Sequence, residues 1–139
     1  MSGARVRDGG PGERERRAGD RLVLVVDDYK ENRDLYAEYI RMSGIAVETA
    51  ADGFEGIEKA ILLRPDAIVM DLSMPHLDGF ETVRVLRDHE RTRQIPVLAL
   101  TGALLECEGR AGDEGFSAFL RKPCLPQYLL HEVRRFLPT

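Results

Sequence analysis

The sequence predicts an α/β fold in which a five-stranded parallel sheet is doubly wound, with helices on both faces. Three observations lead there. Leu22–Val26, Ala67–Met70 and Pro96–Leu100 are short apolar runs without polar alternation, the pattern of strands covered on both sides. Helical stripes separate them, giving the order β-α-β-α-β-α-β-α-β-α between residues 21 and 138. The connections are short, and such alternation folds as a parallel sheet with right-handed crossovers.

Each element has its own signal. The first strand, Leu22–Val26, runs out into Asp27 and Asp28. Leu35, Tyr36, Tyr39 and Ile40 then form an apolar stripe that stops before Gly44, a C-terminal cap. Ile45–Thr49 reads as a shorter strand nearer an edge. Asp52 with Glu55, and Asp78 with Glu81, have capping-box spacing with Asp in place of Ser or Thr. Behind these caps Phe54, Ile57 and Ile61 share one helix face, and Phe80, Val83 and Leu86 another. Residues 103–112 are the fourth helix in the expected count of five, although Gly109 and Gly112 each cost about 1 kcal/mol there. Ser117–Leu120 is the last strand. Pro126 opens the final helix, with Leu129, Val133, Phe136 and Leu137 facing inward.

Composition narrows the function classes. A length of 139 residues suits one domain, and 43% hydrophobic residues supply a core. Residues 1–20 hold five Gly and five Arg with almost nothing apolar, so they are expected to form a flexible tail with a net charge of +1. Residues 21–139, at −5, are the expected domain. A pI near 5.4 disfavours direct nucleic-acid binding. No apolar run approaches the roughly 18 residues of a membrane helix, and no secretory leader is visible. Cys107 and Cys124 lack CxxC spacing, which argues against zinc. A soluble, cytoplasmic chain with no membrane partner is therefore expected. His76, His89 and His131 have no second ligand at useful spacing and are read as solvated.

The chemistry lies at the strand ends. In a parallel sheet the carboxyl ends of all strands share one edge, and ligands bind beyond it. Asp27 and Asp28 end the first strand, Asp71 the third, Thr101 the fourth, and Lys122-Pro123 follows the fifth. Three carboxylates, a hydroxyl and an ammonium should meet there. At ~5 Å each like-charged pair costs about 3 kcal/mol with an effective dielectric near 20. A hard divalent cation relieves that repulsion, and Mg²⁺ suits oxygen ligands while leaving positions for phosphate. Asp71 then becomes a candidate nucleophile, with Lys122 and Thr101 stabilising a transferring phosphoryl group.

These residues resemble the receiver domain of bacterial two-component response regulators. The similarity covers residues 21–137 and rests on LVLVVDD at 22–28, VMDLSMPHLDGFE at 69–81, PVLALTG at 96–102 and FLRKP at 119–123. It implies a flavodoxin-like (βα)5 fold with strand order 2-1-3-4-5. By the same resemblance Asp71 matches the phosphoacceptor. Asp28 matches the direct Mg²⁺ ligand, Asp27 assists through water, and Ser73 supplies a backbone carbonyl. Thr101 and Lys122 match the phosphate-sensing hydroxyl and the lysine, and Phe119 the aromatic switch. Lys122-Pro123 matches a bond that is usually cis.

The implied function is phosphoryl transfer to Asp71 from a phosphohistidine on a sensor histidine kinase or histidine phosphotransfer protein. Apart from its own phosphorylation and dephosphorylation the chain would not be an enzyme. Its switch surface would be the face made by the fourth and fifth helices and the fifth strand, acting on a downstream protein target. Phe119 carries no hydroxyl, so it would act through packing alone. The glycines at 103–112 depart from a well-formed fourth helix and bear on that face. No output domain is read in the chain, which would act by binding or relay, and a receiver cut from a longer protein would look identical. Rival readings fare less well. A haloacid-dehalogenase-type phosphatase needs an Asp where Ser73 stands, and a flavodoxin-type nucleotide site needs a Ser/Thr/Gly-rich loop where Asp27-Asp28 stands. A degenerate receiver acting only as an interaction module must explain why every catalytic position is filled.

Overall fold

Apolar residues on both sides of each central strand require two helical layers, and the computed structural model supplies them. It describes residues 20–72, 79–102 and 115–138. In chain order the elements are β1 (Leu22–Val26), α1 (Lys30–Met42), β2 (Ala46–Ala50), α2 (Gly53–Leu63), β3 (Ala67–Asp71), α3 (Gly79–Asp88), β4 (Val97–Thr101), β5 (Ala118–Arg121) and α4 (Pro126–Phe136). All strand pairs are parallel, in the order β2-β1-β3-β4-β5. This is the order the resemblance implied. Four of the five expected helices lie among the described residues; the one expected at 103–112 lies outside them, as do Ser73, His76, Asp78, Cys107 and, Asp20 excepted, the expected tail.

The period-two alternation of a strand sends neighbours to opposite faces, and both faces are buried. Val23, Val25, Val69, Leu98 and Leu100 pack under α1 and α4, against Tyr36, Ala37, Ile40, Leu129 and Val133. Leu24, Val26, Ile68, Met70 and Val97 pack under α2 and α3, against Ala60, Val83 and Leu86. Asp71 shares the parity of Val69 and falls on the α1/α4 face. Thr101 shares that of Ala99 and falls on the other.

Several local signals hold. The Asp52 carboxylate accepts from Glu55 N at 2.8 Å and caps α2. The return bond of Glu55 goes to Ala51 N, one residue earlier than a capping box requires. Gly44 takes φ +87° after α1, a conformation that favours glycine. Pro126 starts α4. The strands β2, β4 and β5 sit one residue later than the apolar runs suggested, while β3 begins at Ala67 as expected and runs one residue further, to Asp71.

Two helix faces need correction. Leu35 and Tyr39 were expected inside, yet they are exposed, and Ala37 is buried with Tyr36 and Ile40 instead. Phe54 is 61% exposed, while Gly53, Gly56 and Ala60 form the buried side of α2. The physical reason is separation. A Cβ on Gly56 would lie 3.1 Å from a Val26 methyl, so α2 sits too close to β1 for a ring on that side.

Candidate functional site at the carboxyl edge of the sheet

The central strands β1 and β3 are neighbours in register, with Val26 opposite Met70. The residues that follow, Asp27 and Asp71, are therefore side by side although 44 positions separate them in sequence. Both are buried, at 1% and 3% exposure. Asp28 is exposed at the same corner. One carboxylate oxygen from each of the three lies within 4.8 Å of the others. Lys122, from the segment after β5, places Nζ 2.9 Å from Asp71 Oδ1.

This corner carries excess negative charge in a shielded place. Burial is the main cause that pushes the Asp27 carboxyl up to about 6; the Asp71 charge adds to it, and the Tyr29 N–H bond opposes it. Tyr29 N donates to Asp27 Oδ1 at 2.9 Å. Asp27 Oδ2 is buried without a hydrogen-bond partner among the described residues. Such an oxygen costs about 1–3 kcal/mol if left unsatisfied. An acidic, all-oxygen donor set with one orphaned buried oxygen fits a hard divalent cation. Asp27, Asp28 and Asp71 would hold it.

The remaining expected residues are at the same edge. Thr101 is buried at the end of β4, where Leu100 pairs with Asp71, and its carbonyl accepts from Lys122 N at 2.8 Å. The Lys122-Pro123 bond is cis. Phe119 is half-buried on β5 opposite Ala99. Its ring lies tilted against Phe116 at 5.1 Å, and Phe116 meets Phe80 edge-on at 5.3 Å.

Sequence reasoning missed three supporting groups. Arg33 Nη1 donates to Asp27 O at 2.9 Å, and Tyr36 Oη donates to Cys124 O at 2.8 Å. Nothing local signals either bond, because each depends on which helix packs beside which loop. Gly79 is the third: a Cβ there would lie 2.5 Å from Leu72 Cδ2 and 2.9 Å from Leu72 Cα. Its place directly after Asp78 was the available signal. A polar groove of about 510 Å³, lined by Arg64, Asp66, Arg91 and Arg93 among others, lies at the opposite edge and shares no residue with this corner.

The family model for the response regulator receiver domain matches residues 23–134. The chain belongs to that family. Receiver domains of known structure share its fold. The chemotaxis protein CheY4 of Vibrio cholerae superposes with a TM-score of 0.81 at 35% identity, covering 86% of this chain and all of that one. The receiver domain of the sensor histidine kinase PA1611 from Pseudomonas aeruginosa, described with a magnesium ion in its active-site cleft, gives 0.75 at 30% identity over 85% of this chain and 98% of that one. Among curated relatives, the DNA-binding transcriptional regulator RpaA of Synechocystis is 37% identical over 116 residues, or 83% of this receiver and 48% of RpaA. This receiver spans about half the length of the first curated relatives it matches, but 94% of the polar-differentiation regulator DivK of Brucella anthropi, at 31% identity. Membership makes it a signalling domain of two-component type that works by phosphorylation. No described helix is long and apolar enough to cross a membrane.

Proposed function

We propose that this receiver accepts a phosphoryl group on Asp71 from a phosphohistidine of a sensor histidine kinase or histidine phosphotransfer protein. A carboxylate oxygen of Asp71 attacks phosphorus, the P–N bond breaks, and the electron pair returns to the imidazole nitrogen of the donor. The product is an aspartyl phosphate. Its later hydrolysis by water restores the carboxylate and releases phosphate, so the signal is self-limiting.

The residues divide the work. Lys122, ion-paired to Asp71 at 2.9 Å, holds the nucleophile in place and meets the incoming negative charge. The Thr101 hydroxyl donates to a phosphoryl oxygen. Asp27, Asp28 and Asp71 would hold Mg²⁺, with the Ser73 carbonyl as the further ligand that the resemblance implies. The chemistry that ion supplies when bound is charge neutralisation between carboxylate and phosphoryl oxygens. Movement of Thr101 opens space that Phe119 enters, and the surface made by β5 and α4 repacks for a downstream protein. The carrying observation is the convergence of three carboxylates within 4.8 Å beside one lysine.

Incubation with Mg²⁺ and acetyl phosphate, followed by mass spectrometry, tests this. One labile phosphate is expected, absent without Mg²⁺ and absent in Asp71→Asn. An unmodified wild-type chain, or steady hydrolysis of added phosphoesters, would overturn the proposal; the unmodified chain would favour a phosphorylation-independent interaction module.

A further inference from the structure

Lys122 reaches Asp71 from a segment that starts where β5 ends, so its aim depends on what holds that segment. Two hydrogen bonds to main-chain carbonyls do so. Lys122 N donates to Thr101 O at 2.8 Å. Tyr36 Oη donates to Cys124 O at 2.8 Å, across 88 positions of sequence. The Tyr36 ring is 6% exposed and packed in the cluster of α1, α4 and the sheet. Burial pushes its phenol up to about 12, so the hydroxyl stays a donor throughout the neutral range.

Tyr36 does not act on an isolated loop. Arg33, one turn earlier on α1, donates to Asp27 O at 2.9 Å. Residues three apart share a helix face, so one helix holds the backbone of the acidic corner through Arg33 and that of the lysine segment through Tyr36. A rigid strut of this kind fixes the separation of two charged groups that belong to different strands. A phenylalanine would fill the same volume in the core. The hydroxyl adds only the bond to Cys124, two residues beyond Lys122.

We propose that Tyr36 is a positioning residue for the phosphoryl-transfer site, its hydroxyl fixing the Cys124 carbonyl and thereby the reach of Lys122 to Asp71. Its kinetic consequence rests on the phosphoacceptor reading above; its structural consequence does not.

The test compares the full chain with Tyr36→Phe, with Ile40→Val and with 3-fluorotyrosine at position 36. Ile40 is buried on the same helix in the apolar cluster, so Ile40→Val reports loss of packing alone. Two quantities are read: the Lys122 side-chain NMR signals, and the rate of modification by acetyl phosphate at saturating Mg²⁺. In Tyr36→Phe the Lys122 signals should move towards those of a solvated lysine. The rate should fall about three- to tenfold, the effect of one lost hydrogen bond on alignment, with the Mg²⁺ midpoint unchanged. Ile40→Val and the fluorotyrosine chain, which keeps the donor, should retain wild-type signals and rate. Wild-type Lys122 signals in Tyr36→Phe, or equal shifts in Ile40→Val, would overturn the proposal. If the wild-type chain takes up no phosphate, the phosphoacceptor reading fails, and the Lys122 signals still decide the role of Tyr36.

Discussion

At the scale of single residues, Asp27 shows how a site is built at the expense of stability. Its carboxyl is buried beside Asp71, and its folded value of about 6 stands above the ordinary 3.8. The metal-free folded state therefore binds the Asp27 proton more tightly than the unfolded chain does. That contribution to stability is fully present below pH 3.8 and is lost as pH rises through about 6. Asp27→Asn removes the titration and leaves a neutral amide in the same place. In thermal melts with a chelator present, Asp27→Asn is expected to melt above the wild-type chain at neutral pH. The gap should widen between pH 3.8 and about 6; a gap independent of pH would contradict this account. Asp28 is exposed at the same corner, a difference that the dipeptide Asp-Asp does not reveal.

Helices and loops set how closely those residues approach, and glycine marks the tightest contact. Gly79 begins α3 against the backbone of Leu72, where an added Cβ would meet Leu72 Cα at 2.9 Å. A main-chain atom cannot rotate away as a side chain can. Gly79→Ala is expected to destabilise the fold by about 1–3 kcal/mol through overpacking, measured by urea denaturation. The same element should shift, and with it the residues that follow Asp71, so phosphorylation should slow in the folded fraction as well. Arg87, in the last turn of α3, works by a different route. Its guanidinium donates to the carbonyls of Gly115 and Arg93, with Nη2 to Gly115 O at 2.7 Å and Nη1 to Arg93 O at 2.9 Å. It ties the end of one helix to the turn before β5. The apolar stripes of α3 and α4 were legible because their large residues do face the sheet. Those of α1 and α2 were misread because buried Ala37, Gly56 and Ala60 carry little hydropathic signal, while Leu35 and Phe54 carry a strong one on the outer side.

For the whole molecule, charge clustering and metal binding are linked. Three carboxylates gathered at one edge repel each other, and the Lys122 ammonium opposes that repulsion. A cation that binds the folded state alone stabilises it by mass action, by about 2.7 kcal/mol at a hundred times its dissociation constant. Excess MgCl₂ is expected to raise the melting temperature of the wild-type chain and to do so much less in Asp71→Asn or Asp27→Asn. Calorimetry across a Mg²⁺ series checks this; equal shifts in all three chains would place the ion elsewhere.

The layered architecture is already legible in the order of residues. Runs apolar on both faces leave a strand no stable place except between two layers of helix, and Asp27, Asp71, Thr101 and Lys122 at their ends must then share an edge. Which carboxylate is buried, which flank of each helix meets the sheet, and the reach of Tyr36 to Cys124 emerge only once the elements pack together. Those outcomes depend on distances between elements remote in sequence, and side-chain size at one position says little about the gap it must fill until the neighbouring element is in place.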